Sequence, residues 1–165
     1  MGAWSKAQPR LEPESGCIPQ IMSFPEKASQ AFLAGTPVKL TTTAGTVEIC
    51  TDGTTGFLGI AQETASGVTG AAIKVMVVRN DSRILAKVVN AGTAALPTTL
   101  TQGVAYDWYK AGADAVAVFS VDAGATDGPV LIYEEPVLDV NGDSTYWGVF
   151  RLKTGQAGNL DEADA

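Results

Sequence analysis

The segment 139–145, Asp-Val-Asn-Gly-Asp-Ser-Thr, is the part of the chain closest to a metal-binding pattern. Asp139, Asn141 and Asp143 alternate as oxygen ligands do at the start of a calcium loop. The glycine, however, stands fourth rather than sixth, and the twelfth position is Phe150 instead of a bidentate glutamate. We interpret the segment as a turn whose Asn-Gly pair permits positive φ between two strands. No metal and no other cofactor is predicted.

Catalytic groups are the next candidates, and the chain has no histidine. That removes the most frequent general base and the usual zinc ligand. Glu134 and Glu135 are paired carboxylates, but they point to opposite faces of a strand and precede Pro136, so a solvated strand end is predicted. A serine nucleophile would lack its usual base, and no Gly-Lys-Ser/Thr phosphate loop occurs. The sequence therefore predicts a protein that is not an enzyme.

Charge and apolar content restrict the partners. The formal net charge is −7, and the 11 basic residues form no cluster, which disfavours nucleic acid as a partner. No run approaches the roughly 20 apolar residues that span a bilayer, and no secretory signal pattern is visible at residue 1. Cys17 and Cys50 occur in unlike contexts, so no disulfide framework is predicted, and Cys50 reads as a small buried apolar residue. We expect synthesis in a cytoplasm and no membrane partner.

Residues 1–30 differ from the rest of the chain in their regularly spaced prolines, and we predict an extended arm. Its apolar residues either pack on the domain or dock on a partner, and the sequence leaves both explanations open. Under the second explanation, deleting residues 1–25 leaves a folded protein that has lost its partner. The candidate contact residues of the arm are Trp4, Ile18, Ile21 and Phe24.

Residues 31–89 predict a first β unit, because short Val- and Ile-rich runs alternate with turn residues. In 72–79 the two-residue period places Ile73, Val75 and Val77 on one face. Asn80-Asp81-Ser82 predicts a turn, so 72–89 is expected to be a hairpin. Gly59 indicates a bulge or a close approach of two backbones.

Residues 90–153 predict a second β unit packed on or next to the first, and 154–165 an acidic, disordered tail. Four aromatic side chains of this unit are candidates either for packing in the core or between subunits, or for a binding platform. About nine short strands favour a small antiparallel β-barrel or sandwich. The four aromatic residues are Tyr106, Trp108, Tyr146 and Trp147.

Three runs carry a resemblance to a known family: 31–40, AFLAGTPVKL; 56–67, GFLGIAQETASG; and 72–78, AIKVMVV. With a G-x-P-V strand entry, a G-I-A strand and a Val-rich strand, they resemble the cement, or head decoration, proteins of tailed bacteriophages. The later segment 140–150, VNGDSTYWGVF, looks like the closing strand of related proteins.

The resemblance implies a tulip-like barrel, commonly a homotrimer, on the outer surface of the virion. It implies the major capsid protein as partner, neighbouring capsid subunits tied together, and no catalytic residue. A carbohydrate- or receptor-binding β module that uses exposed aromatic residues is the alternative.

Overall fold

The computed structural model describes residues 9–13, 20–41, 44–51, 57–79, 82–91, 93–95, 100–126, 131–136 and 147–153. Strands dominate these residues, and a 3-10 turn at Asp114–Val116 is the one helical element among them. The strands are β1 (Arg10–Pro13), β2 (Ile21–Pro25), β3 (Pro37–Leu40), β4 (Val47–Ile49), β5 (Phe57–Ala61), β6 (Ala72–Val77), β7 (Ser82–Asn90), β8 (Thr93–Ala94), β9 (Ala105–Ala111), β10 (Val118–Thr126), β11 (Leu131–Pro136) and β12 (Trp147–Leu152).

The small sheet contains five strands in the order β2-β6-β5-β3-β4, with antiparallel neighbours throughout. Along β6, Ile73, Val75 and Val77 are buried and face the core, which confirms the two-residue period. Gly59 in β5 lies where a Cβ atom would overlap the Met76 carbonyl oxygen of β6. The predicted close backbone approach at Gly59 is therefore confirmed.

The small sheet curls until its two end strands come close. Glu26, directly after β2, forms a single parallel bridge with Val47 of β4, and Lys27 N–H donates to the Val47 carbonyl (3.0 Å). One bridge is not a ladder, so the described strands form a curled sheet rather than a closed barrel. The tulip-like barrel expected for 31–89 is thus replaced by one sheet of a sandwich-like fold.

The large sheet contains seven strands in the order β1-β7-β10-β9-β11-β12, with β8 paired to β7. β7 is its central element: β12 pairs with it antiparallel, β1 pairs antiparallel at Ser82–Leu85, and β10 pairs parallel at Val88 and Val89. Through β12 the order of pairings returns to β7. This sheet therefore bends back on itself around the buried faces of its strands.

The predicted 72–89 hairpin is wrong, because β6 belongs to the small sheet and β7 to the large one. Ser82 N–H donates to the Arg79 carbonyl (3.0 Å), and Arg79 N–H to the Ser82 hydroxyl (2.9 Å), so these two residues are held close together. Between Arg79 and Ser82 the chain passes from the small sheet to the large one. A turn signal fixes a change of direction, whereas the pairing partner depends on distant residues.

One apolar core lies between the two sheets. Phe57 of the small sheet meets Trp108 of the large sheet edge to face, with 5.4 Å between ring centroids, and Phe119 also meets Trp108 edge to face at 6.2 Å. Residues of both predicted β units belong to this cluster. The fold is therefore mainly β and sandwich-like, as predicted from the strand pattern.

The described parts of the predicted N-terminal arm, 9–13 and 20–30, contribute one strand to each sheet. β1 pairs with β7 in the large sheet, and β2 pairs with β6 in the small sheet. Proline ends each of these strands, at Pro13 and Pro25, as expected for edge strands, which need fewer backbone donors than central ones. Deleting residues 1–25 would remove both edge strands, so the expected folded deletion variant does not follow.

Candidate functional site

The predicted contact residues of the N-terminal segment have different surroundings. Ile21 is 52% exposed on the outer face of β2, which leaves it available to a partner. Phe24 and its neighbour Met22 are half-buried and pack against the main core. Trp4 and Ile18 lie outside the described residues. For Phe24, packing on the domain is the explanation that the structure supports.

Tyr106 and Trp108 lie inside the molecule. Their exposed fractions are 2% and 1%, and both side chains belong to the main core. The Tyr106 hydroxyl accepts a hydrogen bond from Thr101 N–H (2.9 Å) and so fixes the start of β9. A binding platform made of these rings is therefore wrong, because rings inside the core cannot stack on a ligand.

Trp147 is also buried, at 1% exposed, but on the other face of the large sheet. It forms a separate small cluster with Leu85 and Val149, and the Lys87 ammonium lies 5.7 Å from its ring centroid. Trp147, Val149 and Arg151 share one face of β12, as the sequence period predicts. Tyr146 lies outside the described residues, and the three candidate aromatics that the structure does describe are buried and form no exposed row.

A buried carboxylate organises the loop that joins β5 to β6. Glu26 is only 1% exposed. Its Oε2 accepts hydrogen bonds from Ser66 N–H (2.8 Å) and the Ser66 hydroxyl (3.0 Å), and its Oε1 accepts one from Gly67 N–H (2.6 Å). Glu26 main-chain atoms add bonds to Gly70 N–H and the Ala71 carbonyl, each 2.8 Å. We name residues 62–71 the pinned loop.

The pinned loop displays apolar side chains on fixed backbone. Val68 is 61% exposed at the loop, and Leu33 is 42% exposed on the adjoining segment. Ala65 N–H donates to the Phe32 carbonyl (2.9 Å), and this bond ties the loop to that segment. Both exposed residues lie at the end of the small sheet where β5 stops and β3 and β6 begin. We name Leu33 and Val68 the apolar end.

Ion pairs cover the outer face of the small sheet. Glu48 of β4 pairs with Lys27 and with Lys39 on the neighbouring strand β3. Burial of Glu48 acts to raise its pKa, but the hydrogen bonds and charges of the two lysines together hold the pKa below the ordinary 4.5. Lys74 likewise lowers the pKa of Glu63, first through its backbone N–H and then through its ammonium group. This face is polar and already internally paired.

Groups that could perform chemistry are few in the described part of the chain. No cluster of three or more His, Cys, Asp or Glu side chains could hold a metal ion there. Glu134 is partly buried and pairs with Arg151 (3.1 Å) and Arg83 (3.6 Å), so the predicted solvated carboxylate is in fact held by two guanidinium groups. Cys50 is a buried thiol, as predicted. The calcium-like segment 139–145 lies outside the described residues.

No helix among the described residues has the length and apolar character needed to cross a membrane.

The sequence pattern did not reveal the Glu26 carboxylate or the apolar end. Glu26 follows a proline in a segment predicted to be an arm, where a charge is expected to be solvated. One local signal was present. The backbone N–H groups of Ser66 and Gly67 are consecutive donors in a loop of small residues, and an acceptor from another part of the chain can hold such a loop in one conformation. Val68 is a single apolar residue and Leu33 stands in the apolar run 31–34, and sequence alone cannot separate either from core positions.

In comparisons with known proteins, no family model matches the chain, and no curated protein matches it.

Proposed function

We propose that the protein is a structural component of a virion that binds the outer surface of a phage capsid. As a homotrimer it bridges neighbouring major capsid subunits, and it performs no catalysis. The proposal has two sources of support: the family resemblance of the strand motifs and the display of the apolar end on a rigid loop.

The observation that carries the proposal is the geometry of the pinned loop. A contact surface that must stay attached benefits from side chains whose backbone is already ordered, because little conformational entropy is then lost on binding. The Glu26 carboxylate supplies that order below Val68. The three hydrogen bonds that the Glu26 side chain accepts all come from this loop and keep its exposed apolar tip ordered, which supports a role in adhesion.

Multivalency makes a small contact sufficient. A single exposed Val and Leu give a weak interaction, but three copies of the same surface on one trimer can raise avidity by about 10²–10⁴. The polar outer face of the small sheet, with its paired lysines and glutamates, would remain toward solvent. We therefore assign the capsid contact to the apolar end, with Ile21 as a further candidate.

Co-sedimentation with empty capsids tests the proposal. Val68→Asp and Leu33→Asp each place a charge in the contact, and we expect each to weaken capsid binding by about tenfold or more. Val116→Asp is the matched control, because Val116 is 65% exposed on the 3-10 turn next to the large sheet. Unchanged binding by both test variants, or an equal loss in the control, would refute the assignment.

A further inference from the structure

The two segments of the chain that carry the apolar end contain no charged residue. They are 28–38, which includes Leu33, and 64–73, which includes Val68, although 18% of the whole chain is charged. The other exposed residues of both segments are Ala, Ser, Thr and Gly, so no bulky side chain of these segments stands beside the two apolar ones. We name the exposed residues of the two segments the neutral surface.

Backbone hydrogen bonds hold the two segments side by side. Ala65 N–H donates to the Phe32 carbonyl (2.9 Å), and Ser29 N–H donates to the Gly67 carbonyl (3.3 Å). The neutral surface is therefore one continuous surface on ordered backbone, and not two unrelated loops.

The four residues that flank the two segments in sequence are charged, and each is held in an ion pair within the chain. The two lysines that flank 28–38 both pair with Glu48, and the two residues that flank 64–73 pair with each other (3.2 Å). The flanking residues are Lys27, Lys39, Glu63 and Lys74. These charges are thus engaged inside the protein before any partner binds.

Two hydroxyl groups of the neutral surface are engaged within the chain as well. The Ser66 hydroxyl donates to the Glu26 carboxylate (3.0 Å) and accepts a bond from Val68 N–H (3.1 Å). The Thr64 hydroxyl oxygen accepts a bond from Ala34 N–H (3.4 Å). A partner therefore meets apolar side chains and polar groups that already have bonds, and the cores of protein interfaces are likewise depleted of charged residues.

We propose that the part of the capsid that binds the neutral surface is itself uncharged and apolar. This inference rests on the proposed function and adds the chemistry of the partner. A charged partner would lose hydration against a surface that supplies no opposite charge, which disfavours binding. An apolar partner gains free energy in proportion to the apolar area that both surfaces remove from water. Burial of apolar area, and not attraction between charges, holds the contact.

A pair of variants with opposite charge tests the chemistry of the partner. Val68→Lys and Val68→Glu each place one charge in the contact, and an apolar partner disfavours both signs. We expect both variants to bind empty capsids at least about tenfold more weakly than the natural protein, and within about fivefold of each other. A basic partner, which the net charge of −7 would attract, would instead favour Val68→Glu. Val116→Lys and Val116→Glu are the matched controls and should bind as the natural protein does.

Salt and a polar replacement of similar shape give two further readouts. Raising the NaCl concentration from about 0.1 to 1 M shortens the Debye length from about 10 to 3 Å, and we expect a loss of affinity of less than about fivefold. Val68→Thr keeps the shape and the neutrality of the side chain but replaces a methyl group by a hydroxyl. It should weaken binding by at least about threefold. Far-UV circular dichroism checks that every variant is folded.

The outcomes separate this inference from the proposed function. A natural protein that does not bind capsids, or undiminished binding by both charged variants of Val68, overturns the assigned capsid contact and this inference with it. Where those variants do bind more weakly, the contact stands, and three results overturn the inference alone. They are a difference of more than about fivefold between the two charged variants, a loss of more than about fivefold in high salt, and a loss of less than about threefold in Val68→Thr.

Discussion

Replacing Glu26 by Gln tests whether the pinned loop depends on a carboxylate. The change keeps the side-chain size and removes one acceptor oxygen in a site that is 1% exposed. The new amide group must point at a donor, either Ser66 N–H or Gly67 N–H, because Oε2 and Oε1 each accept from one of them now. Two donors then face each other in a site with little access for water.

The expected cost follows from the bonds lost. A hydrogen bond to a charged group contributes about 1.5–3 kcal/mol, and an unsatisfied buried donor costs about 1–3 kcal/mol. Losing one to two of the three bonds therefore lowers the free energy of unfolding by about 2–4 kcal/mol. For a chain of this size that corresponds to a fall in Tm of about 4–16 °C.

Urea unfolding followed by tryptophan fluorescence measures this loss, since Trp108 and Trp147 are buried. Two variants are matched controls. Ser66→Ala removes only the hydroxyl bond (3.0 Å) and should cost about 0.5–1.5 kcal/mol. Glu63→Gln changes an exposed carboxylate of the same loop, paired with Lys74, and should cost about 0–1 kcal/mol.

Hydrogen exchange locates the effect. The Ser66 and Gly67 amides should lose protection in Glu26→Gln, while the amides of β7 and β12 change only as much as global stability does. A Glu26→Gln protein with unchanged urea midpoint and unchanged protection of these two amides would refute the reasoning. It would mean that the loop is held by its own backbone turns and that the carboxylate is incidental.

Two further predictions concern the small sheet. Gly59→Ala should lower the free energy of unfolding by about 1–3 kcal/mol, because the new Cβ atom would overlap the Met76 carbonyl oxygen. Urea unfolding measures this loss, and an unchanged midpoint would show that β5 and β6 can move apart at no cost. The pKa of Glu48 lies below the ordinary 4.5, so its ion pairs add stability above that pH, and this stability is lost as the pH falls through the lowered value. Glu48→Gln should remove about 0.2–1 kcal/mol of the stability that is lost between neutral and acid pH. An identical loss of stability on acidification in both proteins would contradict the role of the two lysine pairs.

The two-residue period predicted faces reliably. Ile73, Val75 and Val77 face the core, and Trp147 and Val149 share the opposite face of the large sheet, as the alternation indicates. This works because side-chain direction along a strand is a local property. The close backbone approach at Gly59 could also be predicted locally, because a glycine inside a strand usually marks a bulge or a close approach of another backbone.

Pairing partners could not be predicted from the same patterns. β6 and β7 are consecutive strands with a turn between them, yet β6 pairs with β2 and β5, and β7 pairs with β1, β10 and β12. The pairing partner of each strand depends on contacts with strands that are distant in the sequence. The Glu26 carboxylate was missed for a related reason, because its donors at Ser66 and Gly67 are distant in sequence.

The contribution of the N-terminal segment to both sheets has a consequence for how the chain folds. β1 and β2 precede the other described strands along the chain, and their partners β7 and β6 follow only after β5, so neither strand can form its native pairing until those later strands have been made. Long-range antiparallel pairing of this kind requires large loops to close, which makes folding slow. The backbone donors and acceptors of β1 and β2 therefore lack their native partners until β6 and β7 have been made.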